Sequence, residues 1–266
     1  DPTVDRLEAW GTPYVIDAVV DPIGFGFAES LGRFVTARER YPEAEMMMGV
    51  GNLTELTDAD TTGMNALLVG FCQELGVRHV LTTEVIPWAR GAVREVDIAR
   101  RLMHFDVKEG RLPKHLDDRL LTVKDADPIF RSEEELRELQ EEITDPNFRI
   151  FADGERIHVF NRDVFLSGTD IQKIFEQLGV EDPSHAFYLG KELQKARHAV
   201  HLGKTYRQEG ELDFGYLTLP EEGLRETELT FTDRVSGSGG SGDDRDDGGG
   251  AGDGSEDGQG HRGGAR

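Results

Sequence analysis

At 266 residues the chain has room for one large domain or two small ones, and 52 Asp and Glu against 30 Lys and Arg leave a formal charge of −22. An acidic excess spread over the whole length repels phosphate and argues against a nucleic-acid or anionic-membrane partner; adaptation to high salt, or plain solubility, fits it better. The single cysteine, Cys72, rules out an internal disulfide, and no signal peptide or apolar run of bilayer length appears, so the expected compartment is the cytoplasm. The chain opens at Asp1 inside a helical pattern that ends near Gly11. Tyr14 to Val20 (YVIDAVV) is an almost continuous apolar run, as a strand buried on both faces requires. The turn DPIGFGF leads to a helix from about Ala28 to Arg40, and Glu45 to Val50 makes a second strand whose Met46–Met48 run reads as core. After GNLTELTDADTT, spacings of three and four place Met64, Leu67, Leu68, Phe71, Cys72 and Leu75 on one helical face, closed by Gly76. Arg78 to Thr83 predicts a third strand, and a helix from about Trp88 to Phe105 is expected to turn Val93, Val96, Ala99 and Met103 inward.

This β-α-β-α-β-α order implies parallel strands with right-handed crossovers. The fold class is α/β, read as three βα units from the C-terminal part of a TIM-type (β/α)8 barrel. On this reading a missing N-terminal segment or a companion chain completes the barrel; alone, the open sheet exposes an edge and a core face and is expected to aggregate.

The pattern changes beyond a polar connector. Residues 1–105 form the partial barrel, 106–130 the linker, 131–233 a small α+β domain and 236–266 a disordered, acidic, Gly-rich tail. Within the α+β part, Ser132 with Glu135 makes a capping box for a helix ending near Ile143. FRIFADGERIHVF alternates around the hairpin pair Asp153-Gly154, and helices follow at about Thr169–Leu178 and Ser184–Gly203.

In a parallel-stranded barrel the ligand lies at the carboxyl ends of the strands. That selects Asp21 with Gly24 to Gly26, Gly49 to Thr54, and Thr82 to Glu84. The Asp21 carboxylate can accept two N–H bonds from a flat heterocycle with an amino group beside a ring nitrogen, Gly24 and Gly26 let backbone approach the ring, and Phe25 can pack on it. Asn52 can donate and accept at once. The plainer alternatives are a solvated loop aspartate with turn glycines, and an Asn52 that caps its turn. Glu84, Arg90 and Arg94 are candidates for holding an anion or substrate, with exposed helix-face residues as the alternative. His185, His198 and His201 do not make a metal site, so no metal is expected, and Lys191, Lys195 and Lys204 read as a solvated helix face. No phosphate-binding loop or nucleophile elbow is present.

The segment IDAVVDPIGFGFAESLGRF resembles the sixth-strand region of dihydropteroate synthases, where an aspartate in the place of Asp21 binds the pterin. The next two strands align with that family in order and spacing but lack its reactive groups. Gly51, Asn52 and Leu53 stand where the family has Ser-Arg-Lys, and Leu81, Thr82, Thr83 and Glu84 where it has Arg-x-His-Asp. Gly49 to Thr54 is also similar to a segment of pterin-binding methyltransferases whose Asn contacts the pterin. Together with AEMMMGVGNLTELTDAD, VLTTEVIPWAR and HAFYLGKELQKA, the chain most resembles the dihydropteroate-synthase-related proteins of archaea and methylotrophic bacteria, in which a pterin-binding barrel precedes a C-terminal domain of unknown role. The resemblance covers about Asp1 to Asp233.

The resemblance implies a pterin ligand or substrate, bound by Asp21, Asn52, Gly24 and Phe25, and a place in the biosynthesis of a pterin one-carbon carrier of the folate or tetrahydromethanopterin type. If the protein is an enzyme it is a transferase of the dihydropteroate synthase type, and no catalytic residue is assigned. The alternatives are a pterin-dependent methyltransferase and a non-catalytic pterin-binding or partner-docking scaffold.

Overall fold

The computed structural model describes residues 1–218. It begins with α1 (Pro2–Ala9), whose first turn is held by the Asp1 carboxylate accepting the Thr3 N–H, with Pro2 in the position that needs no donor. Of the apolar run Tyr14–Val20, only β1 (Ile16–Asp17) enters a ladder. Asp17 Oδ1 accepts the Val19 N–H at 2.8 Å and Val19 takes a φ of 56°, so the chain turns out of the sheet. A β-branched residue with positive φ is rare and carries strain. The carbonyls left behind are met by Arg33 of α2 (Phe27–Arg40), which donates to Ala18 O at 3.2 Å and Val19 O at 2.7 Å.

Next come β2 (Met46–Gly49), the single turn α3 (Gly51–Thr54), α4 (Thr61–Glu74), β3 (His79–Leu81) and α5 (Ala92–Glu109). The sheet is parallel in the order β1-β2-β3, with Ile16 beside Met46 and Met48 beside Val80. Its helix-covered face packs Met46, Met48, Val50, Phe34, Leu68 and Cys72 into one cluster. Burial pushes the Cys72 thiol up to about 12.

The opposite face carries Asp17, Met47 and His79 in one row, and Val15, Val19 and Leu81 are about half exposed. The three strands therefore form an open sheet covered on one side, where the apolar run predicts burial on both. The helical faces also differ from expectation. α4 packs against both the sheet and α5, so it buries Thr61, Thr62, Asn65 and Val69 besides Leu68 and Cys72, and leaves Leu67 exposed. In α5 the buried stripe is Ala92, Glu95, Ile98, Ala99 and Leu102, rotated from the expected one so that Val93 faces out.

The rest is an antiparallel α+β unit. α6 (Glu133–Glu141) carries the expected capping box at Ser132. It is followed by β4 (Arg149–Ala152), β5 (Ile157–Phe160), β6 (Phe165–Gly168), α7 (Ile171–Leu178), α8 (Pro183–Leu202) and β7 (Tyr206–Arg207), with sheet order β6-β5-β4-β7. At the β4–β5 turn, Asp153 Oδ1 accepts the N–H groups of Glu155 and Arg156.

One face of this sheet packs Ile150, Ala152, Ile157 and Val159 against Leu189, Leu193 and Ala196 of α8. On the other, Phe151, Phe160 and Phe165 stack across three strands with centroids 5.6 and 5.3 Å apart. Lys204, expected in solvent, is buried: past the end of α8 it turns inward and donates to Asp125 Oδ1 at 2.7 Å and to the Asp213 carbonyl at 2.6 Å. No helix of the described residues is long and apolar enough to cross a membrane. The tail expected at 236–266, and the end of the α+β part beyond residue 218, lie outside the described residues.

Candidate functional site

Three parallel strands ending side by side leave a hollow of about 230 Å³ at their carboxyl ends, walled by Asp17, Val20, Gly51, Asn52, Leu81 and Thr83. The volume is below the roughly 300–1,000 Å³ usual for small-molecule pockets. Asn52 lies at the start of α3 and donates its Nδ2–H to the Val20 carbonyl at 2.7 Å. That bond ties the end of β2 to the peptide just before Asp21 and leaves the amide oxygen without a donor among the described residues.

Asp21 itself does not wall the hollow. Its Oδ2 accepts from Arg33 at 2.7 Å and lies against Gly26, where a Cβ would come within 3.1 Å of that oxygen. Gly26 has a φ of 113° and caps α2, so both the backbone and the close carboxylate require glycine there. Gly24 holds the turn with a φ of 83°, and the Phe25 side chain is 82% exposed. The structure thus brings the Asp21 turn and Asn52 into one neighbourhood, with Asn52 on the wall and Asp21 behind it in an ion pair. Asp17 supplies the carboxylate on the wall instead. Sequence reading missed it because it sits inside the apolar run rather than after it.

The third strand's residues are otherwise employed. Glu84 Oε1 accepts the Val93 N–H at 3.0 Å and so caps α5, and Thr83 donates to Glu55. Arg94 places its guanidinium 5.4 Å from the centroid of the Tyr216 ring, and Arg90 is exposed. None of Glu84, Arg90 and Arg94 walls the hollow.

A second feature was not anticipated at all. Glu95 is 2% exposed, and its carboxylate accepts from Thr61 Oγ1 (2.7 Å), Thr62 Oγ1 (3.0 Å), Asn65 Nδ2 (2.7 Å) and Tyr216 Oη (2.7 Å). Four neutral donors stabilise the charge without an ion pair among the described residues. Tyr216 comes from the short 3-10 turn Gly215–Leu217 and fits over Gly91, where a Cβ would meet its hydroxyl at 2.6 Å. The signal was an acidic residue on an apolar helical stripe.

The PterinBD-DUF4346 family profile matches residues 148–209, which run from β4 to β7. A pterin-binding-associated domain of unknown function therefore occupies the antiparallel part of the chain. An uncharacterized protein of Methanocaldococcus jannaschii is 30% identical over 227 residues, covering 74% of this chain and 42% of that protein. The chain thus spans less than half the length of this relative. No solved structure matches.

Proposed function

We infer that this is a pterin-binding protein related to dihydropteroate synthases, acting in the biosynthesis of a folate- or tetrahydromethanopterin-type carrier. The observation that carries the reading is the Asn52 to Val20 hydrogen bond, which joins the amide of one strand end to the acid-bearing turn of its neighbour. The heterocycle rests on the strand tips against Asn52 Oδ1, and its amino group takes the Asp21 carboxylate in exchange for Arg33, with Gly24 and Phe25 closing over it. On this reading residues 1–105 are part of a (β/α)8 barrel, joined by 106–130 to a C-terminal domain at 131–233. Further strands, from the same or a companion chain, pair with the edge strands β1 and β3 to complete the barrel, and the bare sheet face with Val15, Val19 and Leu81 becomes its interior.

Titration calorimetry of the full chain with a reduced pterin tests this. Wild type binds, and Asp21→Asn weakens binding about tenfold or more, because a charge-assisted hydrogen bond contributes roughly 1.5–3 kcal/mol. No binding by the wild type refutes the reading.

One observation favours a non-catalytic version. Leu53, in the place of the synthase lysine, is 4% exposed and packed in the core, so no amine reaches the hollow from that position. Pterin binding without consumption of an aminobenzene co-substrate supports the scaffold; turnover removes it.

A further inference from the structure

A cavity of about 850 Å³ lies away from the strand tips, between α6, β4, β7 and the first turns of α8. Its volume falls within the roughly 300–1,000 Å³ of ligand pockets. One wall is the end of an aromatic ladder that crosses the antiparallel sheet: Phe165 on β6, Phe160 on β5 and Phe151 on β4 are stacked with interplanar angles of 12° and 5°. At the Phe165 end the ladder is capped, with the Arg137 guanidinium 4.1 Å from the ring centroid. At the Phe151 end no cation lies over the ring among the described residues, and Phe151 faces the cavity.

Arg207 on edge strand β7 is the cross-strand partner of Phe151, so its side chain stands beside that uncapped ring on the same face. Arg131, just before α6, lines the same cavity. Neither guanidinium is in an ion pair or side-chain hydrogen bond among the described residues, in a chain where acids outnumber bases 52 to 30. The third arginine on the wall, Arg149, is taken by Asp145 at 3.0 Å. Of the two wall carboxylates, Glu209 accepts the Tyr188 hydroxyl at 3.1 Å, and Glu142, at the end of α6, has no ion-pair partner among the described residues. Glu209 also holds a φ of 66°, strain placed at the cavity rim.

We propose that this cavity is a second binding site, for a small molecule that carries a planar ring and an oxyanion: the ring extends the Phe151 stack, and Arg207 with Arg131 holds the carboxylate or phosphate. A guanidinium fork matches either oxyanion, and an aromatic face prefers an offset-stacked ring. The site lies in the segment matched by the PterinBD-DUF4346 profile and does not rest on the strand-tip reading.

The test titrates the full chain with phenyl phosphate, benzoate and inorganic phosphate. Phenyl phosphate or benzoate binds the wild type, whichever is tighter naming the oxyanion, and Arg207→Gln weakens that ligand about tenfold or more. Arg207 is exposed, so its variant keeps the wild-type melting midpoint, and Asp21→Asn leaves this binding unchanged. Three results overturn the site: no binding of either aryl anion up to about 10 mM, binding undiminished in Arg207→Gln combined with Arg131→Gln, or loss of binding in Asp21→Asn. Inorganic phosphate binding as tightly as phenyl phosphate overturns the role of the ring.

Discussion

Replacing Tyr216 by Phe keeps the ring that fits over Gly91 and deletes only the hydroxyl that donates to Glu95 at 2.7 Å. The carboxylate then keeps three donors, Thr61, Thr62 and Asn65, while remaining 2% exposed. A hydrogen bond to a charged, water-excluded group contributes about 1.5–3 kcal/mol, a large part of a domain stability of roughly 5–15 kcal/mol. With a urea m-value of about 2 kcal/mol/M, the midpoint falls by roughly 1 M. Glu95→Gln removes the charge, and the Asn65 Oδ1, buried without a partner among the described residues, becomes available to the new amide after a flip of the Asn65 side chain. The hydroxyl therefore contributes less in the Glu95→Gln background. Urea melts of wild type, both single variants and the double variant, followed by far-UV circular dichroism, measure that coupling directly. Tyr216→Phe within about 0.5 kcal/mol of wild type, or strict additivity with Glu95→Gln, refutes the reasoning.

Two further outcomes are expected. Burial first, and then the hydrogen bonds to Glu192 and Glu95, hold the hydroxyls of Tyr206 and Tyr216 above the ordinary tyrosine range. The folded state keeps protons that the unfolded chain gives up, so stability falls as pH rises past about 10, by at most about 1.4 kcal/mol per pH unit for each tyrosine; urea midpoints unchanged between about pH 8 and 11 contradict this. Lys204→Met strips Asp125 of its buried ammonium partner and is expected to cost about 3–5 kcal/mol, part of which is recovered when Asp125→Leu is added. A neutral Lys204→Met returns Lys204 to the solvated role its sequence context implies.

Local signals carried much of the fold. The alternation of apolar strands with helices, one of them stopped at Gly76, marked the parallel unit, although α5 runs on to Glu109, past the expected end near Phe105; Ser132 with Glu135 and Asp153-Gly154 marked a helix start and a hairpin that the structure contains. What escaped depends on partners distant in the chain. The α5 stripe was set one residue off because Glu95 looks unfit for burial until Thr61, Thr62, Asn65 and Tyr216 are seen to donate hydrogen bonds to it. β1 is short because of Asp17 and Arg33, neither of which signals a strand end by itself. β7 has two residues, too few for periodicity to register. In the candidate site Asn52 was legible as an amide at a strand end, whereas the pairing of Asp21 with Arg33 follows only from the way α2 lies over the turn.

The Tyr216–Glu95 bond spans 121 positions. A nascent polypeptide leaves the ribosome with α4 and α5 complete while their shared acid still waits for its fourth donor. Closing a contact of such separation comes late, after the intervening antiparallel unit has been synthesised. Until then the Glu95 carboxylate is held by Thr61, Thr62 and Asn65 alone, and a product truncated before residue 216 is expected to keep the helix pair at lower stability than the full chain.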